Sequence, residues 1–565
     1  MFDGYGHFTN MRSSLDRFAD YGANIIQLEL GPSHLYPKEG ATQEFEADFS
    51  GFEKDRLPLV ERCWEDNLQL CFLISPHYAP GWWLAKHPEA KASSGFLKYN
   101  ILRPEAREMM TAHIRDLLAR LRKLPHPEVI HSICLQNEPI YSADWNDTFT
   151  RGRFEAYLKG KYGSADKFNL SAGLSDKAVN AAWIEFRKQV MSDWNAFLAA
   201  EVRKAWPGIP VHSKIMIMNS TFSDHGIDPE AFALVGDYNG NDNYGNYMEG
   251  GYASDWVGFA LGSELQFSMR PNSLVNAENH IIRDSEKRPI PNTQVYVANF
   301  LQHLTGASAL VTWVWNIYPP EQESKVDPAL RDNIALRPGN VAAQGIAQLD
   351  AMRLAPELIQ FTKTEPAIAL LYSPSTLGIQ ASAYKNALAR FYAETAFTGH
   401  RVRFLSERQL AAGEFGKVKQ LFVVGTPNVS AEALAGMRNF VKQGGRIFAD
   451  RFSLKRDELD RDLKADVAAG ALPDFIPASE LKAKYFDPAE QLPVNPAAVV
   501  PGVFCRVVPG VKPGETLVAL INYNKEPATV KLTGKGAFRD LIRDEPVSAG
   551  LKLEPLQVMR AAASS

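Results

Sequence analysis

The chain has 565 residues, 45% of them hydrophobic and 22% charged, with a formal net charge of −4 at pH 7. That length exceeds what one hydrophobic core supports and predicts roughly two to four domains of ordinary soluble composition. The near-neutral charge leaves no electrostatic footprint for nucleic acid or an anionic membrane, and no run has the length and apolarity of a transmembrane helix.

In chain order, short apolar runs alternate with longer amphipathic ones up to about residue 350. Strands are expected at 24–30 (NIIQLEL), 68–75 (LQLCFLIS), 129–136 (VIHSICLQ), 210–218 (PVHSKIMIM), 234–240 (LVGDYNG), 272–278 (NSLVNAE) and 309–315 (ALVTWVW). Helical patterns such as MRSSLDRFADYG and EMMTAHIRDLLARLRKL lie between several of them. Nearly all-apolar strands spaced by helices indicate a parallel sheet buried on both faces. Seven strands fall one short of a (β/α)₈ barrel, and only MFDGY at the N-terminus is available as the first. A composition break near 353–366 opens a second α/β unit, with 455–500 expected to form irregular connections. From Val500 onward, turn-separated β runs predict a small antiparallel domain. The expected division is a barrel over 1–355, an α/β domain over 356–497 and a β domain over 498–565.

The cysteines Cys63, Cys71, Cys134 and Cys505 contain no CxxC pair and predict no metal site. Cys71 and Cys134 sit in apolar runs, as small hydrophobes of a reducing compartment do. MFDGYGHFTN has neither a basic n-region nor an apolar h-region, so a cytoplasmic protein is expected.

Reactive groups of a (β/α)₈ barrel sit at the C-terminal ends of its strands. Glu138, in Gln136-Asn137-Glu138-Pro139, ends the fourth strand of this count, and Glu278, in LVNAENHI, ends the seventh. Alone, a glutamate at a strand end is mostly a solvated turn residue. Two at opposite sides of one mouth form a pair able to hydrolyse a glycosidic bond, one as proton donor and one as ionised carboxylate. A separation of roughly 5–5.5 Å would imply a covalent intermediate and retention. Asn137 is placed to hold the sugar 2-hydroxyl. Pro139 is expected to end the strand and favour an extended backbone at Glu138. Glu29 is the best competing carboxylate, since it also ends a strand. The chain needs no cofactor and no metal for this chemistry, only carboxyls and water.

LQNEPIY resembles the Asn-Glu-Pro signature of the retaining (β/α)₈ glycosidases of clan A. FEAYLKGKYGSADKFN is similar to the segment after the acid in family 42 β-galactosidases. The order of barrel, amidotransferase-like α/β domain and small β domain also resembles that family, with the related family 164 β-mannosidases as second choice. The resemblance implies Glu138 as acid/base, Glu278 as nucleophile, an oligosaccharide or β-glycoside substrate and a homotrimer built through the middle domain. It leaves β-galactosidase as the leading activity, with β-mannosidase or an agarase-like enzyme as alternatives. Family 42 usually has Tyr or Phe where Pro139 stands, and no arginine here matches the one those enzymes keep near the acid.

Further candidates stay open between site and scaffold. His77 and Tyr78 follow the third strand and either line the sugar site or pack a loop; Trp82 and Trp83 divide between an aromatic platform and core filler. Trp315 ends the eighth strand, where clan members stack a Trp under the sugar. Asn279 and His280 adjoin Glu278 and are placed to orient it. Asn243 and Tyr244 follow the sixth strand, and Tyr244 is expected to bond the nucleophile. Two rivals remain. A glutamine amidotransferase in the middle domain lacks a cysteine nucleophile there. A non-catalytic sugar-binding protein would survive loss of both glutamates unchanged.

Overall fold

The computed structural model describes residues 2–6, 18–92, 97–141, 144–222, 226–245, 247–248, 250–281, 290–315, 334–486, 495–534, 537–548 and 550–564. Eight strands form one all-parallel sheet: β1 (Phe2–Gly6), β2 (Ile25–Glu29), β3 (Gln69–Leu73), β4 (Ile130–Asn137), β5 (Val211–Lys214), β6 (Asn239–Asn241), β7 (Leu274–Asn279) and β8 (Ala307–Thr312). Its order, β5-β4-β3-β2-β1-β8-β7-β6, closes through a parallel bridge between Ile215 and Asn241 and the Asp242 N–H bonding the Ile215 carbonyl at 2.8 Å. MFDGY is therefore the first barrel strand, pairing with both β2 and β8.

The strand sequences alternate as a barrel requires. Ile25, Cys71, Leu73, Cys134 and Val311 cluster together, while their neighbours Ile26, Leu70, Phe72, Ile133 and Leu135 join the large core shared with the helices. The helix Lys177–Ala205 shows why such segments form. Asp176 caps it by accepting from the Val179 N–H, and Ala181, Trp183, Phe186, Val190, Trp194 and Leu198 supply its buried face.

Two strand expectations change. In 210–218 only Val211–Lys214 is strand, and Ile217–Ser220 turns helical. In 234–240 the first residues end the helix Pro229–Val235, capped by Asp228, and only Asn239–Asn241 pairs. Of the expected helix at 11–22, residues 11–17 lie outside the described residues, and Ala19–Tyr21 forms a 3₁₀ turn.

A second parallel sheet follows: β9 (Ile368–Tyr372), β10 (Val402–Ser406), β11 (Gln420–Val423), β12 (Arg446–Asp450) and β13 (Ala469–Leu472), in the order β10-β9-β11-β12-β13. β13 lies within the stretch expected to be irregular. Its AGAL sequence carries little β signal, and three of its four residues are exposed at the sheet edge. The C-terminal unit holds two antiparallel sheets. β14 (Asn495–Pro496), β17 (Ala528–Thr533) and β20 (Gly550–Leu553) form one; β15 (Val503–Pro509), β16 (Glu515–Asn522), β18 (Ala537–Asp540), β19 (Glu545–Val547) and β21 (Val558–Ser564) form the other. Arg506 of β15 pairs at 3.3 Å with Glu264 of the barrel helix Trp256–Met269, and both are 3% exposed. This buried pair ties the C-terminal unit to the barrel. No described helix is long and apolar enough to cross a membrane.

Candidate active site

Both glutamates stand at the C-terminal mouth, and the strands under them are irregular in the same way. The β4–β5 register shifts between Cys134 and Asn137, and the β7–β8 register between Asn276 and Asn279. Such bulges re-aim the side chains that follow them. Glu138 takes φ +41°, a left-handed conformation and not the extended one expected from Pro139. Its N–H is drawn to the Lys214 carbonyl of β5 at 2.8 Å. That bond, together with the bulge, outweighs the local preference of a residue before proline.

Glu278 is buried and meets the Nζ of Lys214, which is itself only 2% exposed. His280 Nε2 lies 3.1 Å from the other Glu278 oxygen and donates to it, since a carboxylate can only accept. Burial alone would raise the Glu278 carboxyl. The Lys214 charge and the His280 bond more than offset this and hold it well below the usual carboxylate range. Burial likewise works against the Lys214 ammonium, but Glu278 and then Asp242 keep it above its ordinary value. Glu278 is thus a carboxylate at neutral pH, as a nucleophile must be.

Glu138 is half-buried and accepts from the Tyr244 hydroxyl at 2.8 Å. The expectation that Tyr244 bonds the nucleophile is therefore corrected: it holds the other glutamate. The tyrosine ring packs on His280 at 4.3 Å, so one aromatic pair connects the partners of both carboxyls. Asn137 Oδ1 is buried and accepts no hydrogen bond from the described residues.

Several candidates belong to the scaffold. Asn243 sends its amide to the Phe259 carbonyl at 2.9 Å, away from the mouth. Asn279 is fully buried in an amide network with Asn299 and Gln302 of the helix Asn292–Leu304. It supports the backbone beside Glu278 without facing the mouth. Trp82 donates to the Tyr36 carbonyl and packs partly buried against the core, and Trp83 is 1% exposed within it. Trp315 is buried edge-on against Phe18 at 4.7 Å. β8 ends at Thr312, so the first tryptophan beyond the strand is Trp313. Its half-buried ring stacks over His280 at 5.9 Å. Trp313, and not Trp315, thus has its ring beside the residues around Glu278.

His77 and Tyr78 do border the site. Their rings touch at 4.0 Å, and both feel the charges of Lys214 and Glu278. Burial, then Lys214, pushes His77 down to about 3, so it is neutral, while burial lifts the half-exposed Tyr78 to about 12. Glu29 accepts from Ser75 at 3.1 Å, and burial raises its carboxyl against the opposing pull of Lys214. A carboxyl held up in this way is a poorer nucleophile candidate than Glu278.

Sequence reasoning passed over Lys214, Asp242 and Trp313. A lysine inside the apolar run VHSKIMIM was the available signal, because a buried cation needs a buried anion. Asp242, Glu278 and His280 each bring a ligand-type atom within 4.8 Å of the others. The Lys214 ammonium already supplies the positive charge at Glu278, and we assign no metal there.

The family model described as Beta-galactosidase C-terminal domain matches residues 511–561. None of the curated proteins compared with the chain matches it. Among solved structures, an apo exo-carrageenase GH42 from Bacteroides ovatus aligns at TM-score 0.81 and 18% identity, over 100% of this chain and 82% of the other. A GH42 β-galactosidase from G. stearothermophilus gives 0.76 and 15%, covering 100% and 98%. A β-galactosidase from Bacillus circulans sp. alkalophilus gives 0.74 and 14%, covering 100% and 99%. The chain thus has the fold of the GH42 glycosidases, a TIM barrel followed by further α/β and β units. The resemblance to family 42 read from the sequence is borne out by that fold and by the matching C-terminal segment.

The two tryptophans separate in experiment. Trp313→Ala is expected to lower kcat/KM by about 10- to 100-fold with little change in Tm, as loss of one apolar ring face would. Trp315→Ala should cost about 3–5 kcal/mol of stability, read from denaturant unfolding, because it leaves a core cavity.

Proposed function

We propose that this chain is a retaining exo-β-glycosidase of the β-galactosidase type, with Glu278 as nucleophile and Glu138 as acid/base. The observation that carries this reading is the ionised, buried Glu278 held by Lys214 and His280 at the end of β7. In the first step a Glu278 oxygen attacks the anomeric carbon as Glu138 gives its proton to the departing oxygen. In the second, Glu138 takes a proton from water, which displaces Glu278. The unpartnered Asn137 Oδ1 is placed to accept from the sugar 2-hydroxyl. Trp313, Tyr78 and His77 wall the first subsite.

Glu138→Ala tests the acid/base role. Its kcat/KM should fall by on the order of 10²–10⁴ on glycosides with poor leaving groups, and far less on activated aryl glycosides. Equal losses on both would remove Glu138 from that role. A screen of nitrophenyl β-glycosides identifies the sugar. The likeness to an exo-carrageenase favours a second reading, in which carrageenan oligosaccharides are cut from an end; they belong in the same screen.

A homo-oligomer, a trimer by resemblance, also fits. The helix Pro338–Arg353 exposes Ile346, Leu349 and Met352 at 55%, 59% and 48%, and Phe452 and Phe475 are half exposed on the middle unit. Light scattering at three times the 62.8 kDa chain mass would support the trimer. The four cysteines are buried and unpaired, which fits a cytoplasmic setting.

A further inference from the structure

Asp242, just past β6, has no part in the two-carboxylate scheme above, yet it lies between its members. It is 1% exposed, and neither carboxyl oxygen accepts a hydrogen bond from an N–H or O–H of the described residues. Its Oδ1 is 3.9 Å from His280 Nε2, and the carboxyls of Asp242 and Glu278 lie with His280 inside a 4.8 Å cluster. Its hydrogen-bonding neighbour is another carboxyl, that of Glu138. Two carboxyls in contact, one buried and one half-buried, hold together when a proton lies between them. The charged groups facing Asp242 are Glu138 from β4, Lys214 from β5, and Glu278 and His280 from β7, with Tyr244 on its own segment.

We propose that Asp242 shares the catalytic proton with Glu138 and supplies the countercharge of Lys214 while Glu278 is esterified. This rests on the glycosidase reading above.

The charge balance requires such a group. In the free site of this scheme, the Glu278 carboxylate and the Lys214 ammonium cancel, Asp242 is held protonated, and Glu138 carries the proton it donates. Burial, then the Glu278 charge, then Glu138 itself, raise the Asp242 carboxyl well above the usual range. When the Glu278 oxygen bonds the anomeric carbon, the glycosidic C–O bond breaks and the Glu138 proton leaves with the departing oxygen. Glu278 is now a neutral ester. Lys214, at 2% exposure, has lost its partner, and a buried unpaired ammonium is costly. One negative charge remains, on the Glu138–Asp242 pair. Moving the shared proton onto Glu138 places that charge on Asp242, which faces Lys214. Water then attacks the anomeric carbon and gives its proton to Glu138. Glu138 passes its own proton back to Asp242, and the C–O bond to Glu278 breaks. Its electrons restore the Glu278 carboxylate, and each group ends as it began. Asp242 is a positioning residue that acts through Glu138 and Lys214.

The test has a readout in the free protein and one in turnover. Isotope-edited infrared difference spectra, wild type minus Asp242→Asn at neutral pH, should show the carbonyl band of a protonated carboxylic acid. Glu138→Gln should shift that band. A carboxylate signature for Asp242, or a band untouched by Glu138→Gln, overturns the proposal. The wild type against Glu138→Gln comparison serves alone should Asp242→Asn not fold. In turnover on an activated aryl β-glycoside, Asp242→Asn should slow the hydrolysis of the glycosyl-enzyme by about 10²-fold, seen as a product burst. It should also move the alkaline limb of kcat/KM to lower pH, because a neighbouring titrating carboxyl no longer holds the Glu138 proton on. A uniform loss with an unmoved limb marks a packing role and contradicts the proposal. Infrared evidence of a shared proton in a protein active on no glycoside would sink the glycosidase reading and the countercharge role with it, while the proton sharing stood.

Discussion

Glu278→Ala is expected to lower turnover by on the order of 10⁴-fold or more on every substrate the wild type cleaves, since the first bond-forming atom is gone. Azide, small enough to enter the vacated space, should restore part of the rate on activated glycosides and give a product of inverted configuration. Among the described residues, the competing carboxyls are Glu29, raised by burial, and Asp242, raised by burial, by Glu278 and by Glu138, whereas Glu278 is lowered. If Glu278→Ala kept wild-type turnover, the nucleophile would have to be sought elsewhere, first at Glu29.

The second large effect belongs to Lys214. Lys214→Met removes the charge that does most to hold Glu278 ionised and leaves only the His280 bond against burial. The Glu278 carboxyl should then rise from its depressed position to above the ordinary carboxylate range. The acid limb of the kcat/KM profile should move up by about two pH units or more. Breaking a buried ion pair by removing one partner costs about 3–5 kcal/mol, which denaturant unfolding at neutral pH should register. The sign of the pH dependence follows from the depressed pKa. The stabilisation is fully present above the pKa of an unfolded glutamate and is lost only as pH falls through the lower folded-state value. The gap between wild type and Lys214→Met should therefore start to close as pH falls through the raised Glu278 value of the variant, and vanish only below the depressed value of the wild type. Lys214→Met combined with Glu278→Gln should recover much of the lost stability while remaining inactive, because no buried charge is left unpaired. A Lys214→Met protein with unchanged acid limb and unchanged stability would show that the pair does not form in solution.

The legible parts of the sequence were those where one physical signal dominated. Buried parallel strands such as IIQLE and QLCFL announce themselves by apolar continuity, and both glutamates were found because each closes such a run. β6 was misplaced because Asn239, Gly240 and Asn241 carry no hydrophobic signal. Their pairing comes from closing the barrel, which no local pattern encodes. Side-chain direction was the other blind spot. Asn243 and Asn279 neighbour the reactive groups in sequence but face the surrounding helices, while Asp242 and Glu278, one residue away, face the mouth. The bulge near Glu278 decides which of two adjacent residues points inward, and a single sequence does not show a bulge. Trp313 and Trp315 present a related ambiguity, resolved only once β8 is seen to stop at Thr312.

The most direct test of the account is to trap its covalent intermediate. The full chain is incubated with an activated 2-deoxy-2-fluoro β-glycoside of the sugar found in the screen, digested and read by peptide mass spectrometry. The account predicts one sugar per chain, attached to Glu278 in the peptide containing LVNAENHI. A label on Glu29 or on any other residue, or steady turnover of the natural substrate with no label at all, would contradict it.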